Sequence, residues 1–92
     1  MQKLEEHQLH EALADLPKWH LINGEIVRSW VFADFVAAIA FVNQVAQEAE
    51  KAGHHPDIDI RYNRVKLALV THDAGGITTN DIEMATILNN LE

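Results

Sequence analysis

From Lys3 to Leu16, the positions Leu4, Leu9, Ala12, Leu13 and Leu16 fall on one face of a helix, and Pro17 stops it. Two strand-prone runs follow, Trp19–Ile22 and Glu25–Phe32, joined by Asn23-Gly24. Both joining residues tolerate positive φ, so the pair predicts a tight hairpin. Asp34 stands where a helix N-terminus favours a carboxylate. Phe35, Val36, Ile39, Ala40, Val42, Ala46 and Ala49 then recur at helical spacing up to Lys51, with Gly53 as the cap. Next, Ile58, Ile60 and Tyr62 alternate with Asp59 and Arg61, and Val65, Leu67 and Leu69 alternate with Lys66 and Ala68. Asn63-Arg64 is the expected two-residue turn between these strands. Gly75-Gly76 interrupts the chain, and Thr78-x-x-Asp81 reads as a capping box for a last helix with Ile82, Ala85, Leu88 and Leu91 inward. The expected fold is α+β, in the order α-β-β-α-β-β-α. A four-stranded antiparallel sheet has helices packed on one face and the other face free for a ligand or partner.

At 92 residues the chain reads as a single domain, 1–92. A domain of this size buries roughly 60–65% of the surface its unfolded chain exposes. The absence of cysteine removes disulfides, thiolate ligands and thiol nucleophiles. A net charge of −7 repels phosphate backbones, and no basic stripe compensates, so direct nucleic-acid binding is not expected. No segment has the roughly 20 apolar residues that cross a bilayer, nor does the start read as a signal peptide. No membrane association is expected, and the expected location is the cytoplasm.

The candidate chemistry lies in the histidines: His7, His10, His20, His54, His55 and His72. With Asn63-Arg64 as the turn, Tyr62 faces Val65, His55 faces His72 and His54 faces Asp73. Pro56 would kink the chain and let His54 swing into the same space. Three imidazoles would then gather at the open end of one hairpin. Imidazole titrates near neutral pH, so a pair of them can protonate a departing hydroxyl and take a proton from a neighbouring nitrogen. Elimination of water by this route needs no metal, nucleophile or cofactor. Taken alone, two adjacent histidines at a strand start are equally well explained as solvated loop residues. His7, His10 and His20 have no partner pattern and read as surface residues, while Trp19 and Trp30 read as core or interface. His54, His55, His72 and Asp57 are suitable zinc ligands by type. Neighbouring strand residues point to opposite faces, however, and there is no His-x-x-x-His pair, so no metal is expected.

Glu50-Lys51-Ala52-Gly53-His54-His55-Pro56-Asp57, then Tyr62-Asn63-Arg64-Val65, Leu69-Val70-Thr71-His72, Gly76-Ile77-Thr78 and Asp81 together resemble the signature of the pterin-4a-carbinolamine dehydratases. Trp19 and Trp30-Val31-Phe32-Ala33-Asp34-Phe35 fit as well, and the resemblance runs from about Leu4 to Leu91. It implies dehydration of 4a-hydroxytetrahydropterin to the quinonoid dihydropterin, which recycles the cofactor of aromatic amino-acid hydroxylases. Carried onto matching positions, the resemblance implies a catalytic set of His54, His55 and His72. His54 and His72 would be the acid–base pair, and His55 would bind and orient the pterin. Pro56 would fix the turn, while Glu50, Thr71 and Asp81 would hold the ring or set the histidines. Asp57 matches an acidic position whose role does not follow from the sequence. Gly53 and Ile58 depart from the family pattern, where a polar or acidic residue and an aromatic residue are common, and both point to weaker substrate affinity.

The resemblance also raises a binding role, because animal members serve as dimerisation cofactors for a homeodomain transcription factor. The run Ala37–Val42 is apolar, and Phe41 and Val45 lie beyond a single stripe, so this helix is expected to pack on a partner as well as on its own sheet. Family members are commonly homotetramers built from dimers. The expected partner is therefore a second copy, as homodimer or homotetramer, with an edge strand managed by pairing.

Overall fold

The computed structural model describes residues 2–91. Its elements are α1 (Glu6–Ala14), β1 (His20–Ile22), β2 (Glu25–Val31), α2 (Phe35–Ala52), β3 (Asp57–Arg61), β4 (Arg64–Leu69) and α3 (Thr79–Asn89). A 3-10 turn, His72–Ala74, joins β4 to α3. The order is the expected one, and all neighbouring strands are antiparallel, in the spatial order β1-β2-β4-β3.

Helix α1 is shorter than its apolar stripe. At its start, the Gln8 side chain takes the Glu5 N–H at 2.9 Å, while the Leu4 N–H bonds Ile77 O at 2.8 Å. That long-range bond holds Leu4 outside the helix. At the other end, Asp15 N and Leu16 N bond back three residues, to Ala12 O and Leu13 O. The tightened turn swings Leu16 and Trp19 into the core.

Helix α2 begins as the sequence indicates, with the Asp34 carboxylate accepting the Ala37 N–H at 2.8 Å. The helices cover one sheet face. Ile26 and Trp30 of β2 and Val65, Leu67 and Leu69 of β4 meet Ala38, Phe41 and Val45 of α2 and Met84, Ala85 and Leu88 of α3. Full burial of an aliphatic side chain of this size contributes about 1.5–3 kcal/mol relative to exposure. Phe41 and Val45 are thus the inward stripe of α2, not the outward surplus expected of them, because the sheet and α3 close over them. The outward apolar residues are Phe35 and Val36. In α3, Ala85 and Leu88 are buried while Ile82 and Leu91 are only partly so, and Met84 takes the remaining inward place.

The first hairpin turns at Asn23-Gly24, with φ of 52° and 82°. The second does not turn at Asn63-Arg64. Arg61 pairs with Arg64, so the turn is Tyr62-Asn63, and Ile60 rather than Tyr62 faces Val65. Asn63 is clipped to the end of β2: its side-chain amide donates to Phe32 O, and its own carbonyl accepts the Phe32 N–H, both at 2.8 Å. The expected and observed registers put the same residues toward the helices, so hydrophobic alternation cannot tell them apart. The clip to β2 decides.

Candidate active site

Pairing between β3 and β4 ends at Asp57 opposite Ala68. His55 therefore does not face His72 across a ladder, nor His54 Asp73; the histidines lie beyond the strands, and His72 opens the 3-10 turn. The side chains are organised instead by the end of α2 and the start of α3.

Gly53 closes α2 in the left-handed conformation, φ 64°. Gly53 N bonds Glu50 O, and His54 N bonds Ala49 O, the paired bonds of a Schellman motif. This stop aims His54 at the N-terminus of α3. There His54 Nε2 lies 2.6 Å from Asp81 Oδ1, with the imidazole only 16% exposed and Asp81 fully buried. The other carboxylate oxygen, Oδ2, accepts the Thr78 N–H and the Thr71 hydroxyl, each at 2.8 Å. The Thr71 and Thr78 hydroxyls also meet at 2.8 Å. Asp81 thus serves both as the capping-box residue of α3 and as the anchor of His54.

His72 follows Thr71 directly. The turn that carries it is pinched at its base, where Thr71 N bonds Gly76 O at 3.0 Å and Gly76 N bonds Thr71 O at 3.4 Å. Within it, Gly75 N bonds His72 O at 3.0 Å, with Gly75 left-handed at φ 73°. His72 is exposed, and one peptide bond links it to the threonine that binds the His54 anchor. His55 Nε2 lies 2.5 Å from Glu50 Oε2, at the surface. Pro56 is buried between the histidines and β3.

His54, Thr71 and Asp81 are therefore brought into one network, and His55 and Glu50 into a second pair. Asp57 goes elsewhere: it is exposed on the free sheet face, lining a hollow with Glu25, Asp59 and Lys66. Sequence reasoning treated Thr78 as a helix cap alone. The capping box had already tied it to Asp81, and its complete burial was the missing information. His7, His10 and His20 are exposed, and Trp19 and Trp30 are core residues. Among the described residues, no three or more histidine and carboxylate side chains converge in a way that could hold a metal ion. A better-formed hollow of about 260 Å³ lies at the turn end of β3 and β4, among Ser29, Val31, Arg61, Arg64 and Lys66. It contains no acid–base pair, so chemistry rather than volume selects the histidine end.

Chemically, the arrangement presents one imidazole oriented by a buried carboxylate, a second imidazole on a rigid turn, and a third paired at the surface. Such a set suits proton transfer on both sides of a small substrate.

The comparisons with known proteins agree with this geometry. The family model described as pterin 4 alpha carbinolamine dehydratase matches residues 2–91. A relative from Acidobacterium capsulatum, provisionally named a pterin-4-alpha-carbinolamine dehydratase, is 58% identical over 91 residues, 99% of each chain. One from Chloroflexus aurantiacus with the same provisional name is 57% identical, covering 99% of this chain and 98% of its own. Among solved structures, a transcriptional coactivator/pterin dehydratase from Brucella melitensis superposes with a TM-score of 0.93 at 40% identity, over 98% of both chains. A pterin dehydratase-like protein identified as a RuBisCO assembly factor in the alpha-carboxysome shares the fold, with a TM-score of 0.65 at 19% identity over 79% of this chain and 84% of its own. With a match across nearly the whole sequence and more than half of its residues shared with named relatives, the chain belongs to the pterin 4 alpha carbinolamine dehydratase family.

Proposed function

We propose that this protein dehydrates 4a-hydroxytetrahydropterin to the quinonoid dihydropterin, with His54 and His72 as the acid–base pair. The observation that carries the reading is His54 held on buried Asp81, with His72 joined to the same network through Thr71. One imidazole gives its proton to the 4a-hydroxyl, the C4a–O bond breaks and water leaves. The lone pair of the adjacent ring nitrogen forms the new C=N bond, and the other imidazole takes the proton that nitrogen loses. One proton enters and one departs, so no redox partner or metal is required. Two such transfers contribute on the order of 10²–10⁴-fold each. His55, steadied by Glu50, orients the ring at the open side of the site. Family membership supports the same substrate class, and the product would return to the cofactor pool of an aromatic amino-acid hydroxylase as tetrahydrobiopterin.

Stopped-flow absorbance of 4a-hydroxytetrahydropterin, generated in place, tests this. Wild type should accelerate its breakdown, and His54→Ala or His72→Ala should each lose about 10²-fold or more. Wild-type rates in both variants would remove the reading.

Self-association is the second part of the proposal. Phe35 is 49% exposed and Val36 76%, and with Ile39 and Ala40 they form an apolar patch on the outer side of α2. A second copy covering it would give a homodimer or homotetramer.

A further inference from the structure

The hydrogen-bond bookkeeping around Asp81 settles more than which residues meet. Asp81 Oδ2 already receives two donors, the Thr78 N–H and the Thr71 hydroxyl. Having given its proton to Asp81, Thr71 Oγ1 can only accept from Thr78 Oγ1, at 2.8 Å. Thr78 Oγ1 in turn accepts the Asn80 N–H at 3.2 Å. Donation therefore runs in one direction, from the α3 backbone through Thr78 and Thr71 into the carboxylate. At the far side of that carboxylate Oδ1 has one neighbour, His54 Nε2 at 2.6 Å. Asp81 enters this pair as an acceptor, so the proton of the pair sits on His54 Nε2. The other ring nitrogen, Nδ1, has no partner among the described residues and is not a buried, unsatisfied atom, so it opens to solvent.

We infer that the Thr78–Thr71–Asp81 chain fixes neutral His54 as the Nε2–H tautomer and makes Nδ1 the atom that exchanges a proton with the substrate, with Thr78 a positioning residue for the reaction. The inference rests on the dehydratase reading for its substrate, but the tautomer itself is a property of the free protein. It extends Thr78 beyond capping: removing its hydroxyl leaves Thr71 free to rotate and accept or donate elsewhere, and Asp81 loses the direction of one of its bonds. Asp81→Asn sharpens the point. The two donors at Oδ2 require the amide oxygen there, which turns the amide NH₂ toward His54 Nε2. Nε2 must then accept, and the ring proton moves to Nδ1, closing the atom that should take the substrate proton. Similar shape, opposite tautomer, is the expected result.

The test is ¹⁵N–¹H long-range correlation spectroscopy of histidine-labelled full-length protein, above the pH at which the rings are neutral, paired with dehydration kinetics. Wild type should show a pyrrole-like Nε2 and a pyridine-like Nδ1 for His54. In Asp81→Asn the two should exchange, with kcat down about 10²-fold or more and KM little changed. Thr78→Ala should lower kcat about tenfold, and Thr78→Ser should recover most of that loss, because serine restores both cap and hydroxyl. A pyridine-like Nε2 in wild type, or a folded Asp81→Asn with an unchanged tautomer, would overturn the inference. So would failure of Thr78→Ser to recover the loss. The tautomer exchange seen in a protein without dehydratase activity would leave the inference standing and remove the proposed function.

Discussion

At the scale of single residues, Gly53 shows how a backbone conformation becomes part of a site. Its φ of 64° ends α2 and points His54 at Asp81, and a Cβ added there would meet nothing within 4 Å. The objection to a side chain is therefore torsional, not steric crowding by neighbours. The left-handed conformation costs an ordinary L residue about 1–2 kcal/mol. Gly53→Ala should lower the unfolding free energy by that amount in urea titration, and Gly53→Asn by less, since asparagine tolerates this region better. A loss of dehydratase rate in Gly53→Ala larger than its loss of stability would show that the turn also sets the direction of His54. The family pattern favours a polar residue at this position. Here the glycine trades such a contact for an unstrained helix stop.

The elements show where local signals and tertiary contacts part. Alternation of apolar residues gave β3 and β4 their correct faces, yet it is blind to a register shift that keeps every side chain on its face. Asparagine at the first turn position looked locally favourable. In the fold Asn63 is needed one place later, where it makes two bonds to Phe32, and the left-handed position falls to Tyr62 at φ 53°. Tyr62 is exposed, and its strain has no packing contact to set against it within the core. Tyr62→Asn should stabilise the hairpin by about 0.5 kcal/mol, read as a higher urea midpoint with an unchanged slope. A fall in the midpoint would mean that the tyrosine ring makes a stabilising contact that outweighs its torsion.

At the scale of the whole molecule, the sheet, α2 and α3 enclose one core, and α2 divides into two kinds of apolar residue. Phe41 stacks between Trp30 and Phe32, at ring-centroid distances of 4.8 and 5.1 Å, so it belongs to the fold. Val36 lies outside it. Val36→Lys should leave the thermal midpoint of the monomer nearly unchanged, because surface substitutions usually stay within about 0.5 kcal/mol. It should shift the mass measured by sedimentation toward the monomer. A wild type that is monomeric at micromolar concentration would dispose of the self-association reading. The same scale explains Arg28, a cation on the helix-facing side of β2. It is tolerated in the core because its guanidinium lies 4.3 Å from the centre of the Trp30 ring and donates to Asn89, which also accepts from Trp19.

The sequence by itself determined the α+β class, the order of elements, the Asn23-Gly24 turn, the caps at Asp34, Gly53 and Thr78, and the inward faces of the central strands. These follow from periodicity and from residues whose φ preference or capping chemistry acts within a few positions of itself. The resemblance carried by the His-His-Pro-acid and Thr-His segments added the family. Only the tertiary structure decided the register of β3 on β4, because Asn63 is held by β2, thirty-one residues away. It alone decided the meeting of His54 with Asp81, twenty-seven residues apart, because a helix end and a helix start must dock before the two side chains touch. Local chemistry can say that Asp81 caps α3. Only packing can say what lies on the carboxylate's other side.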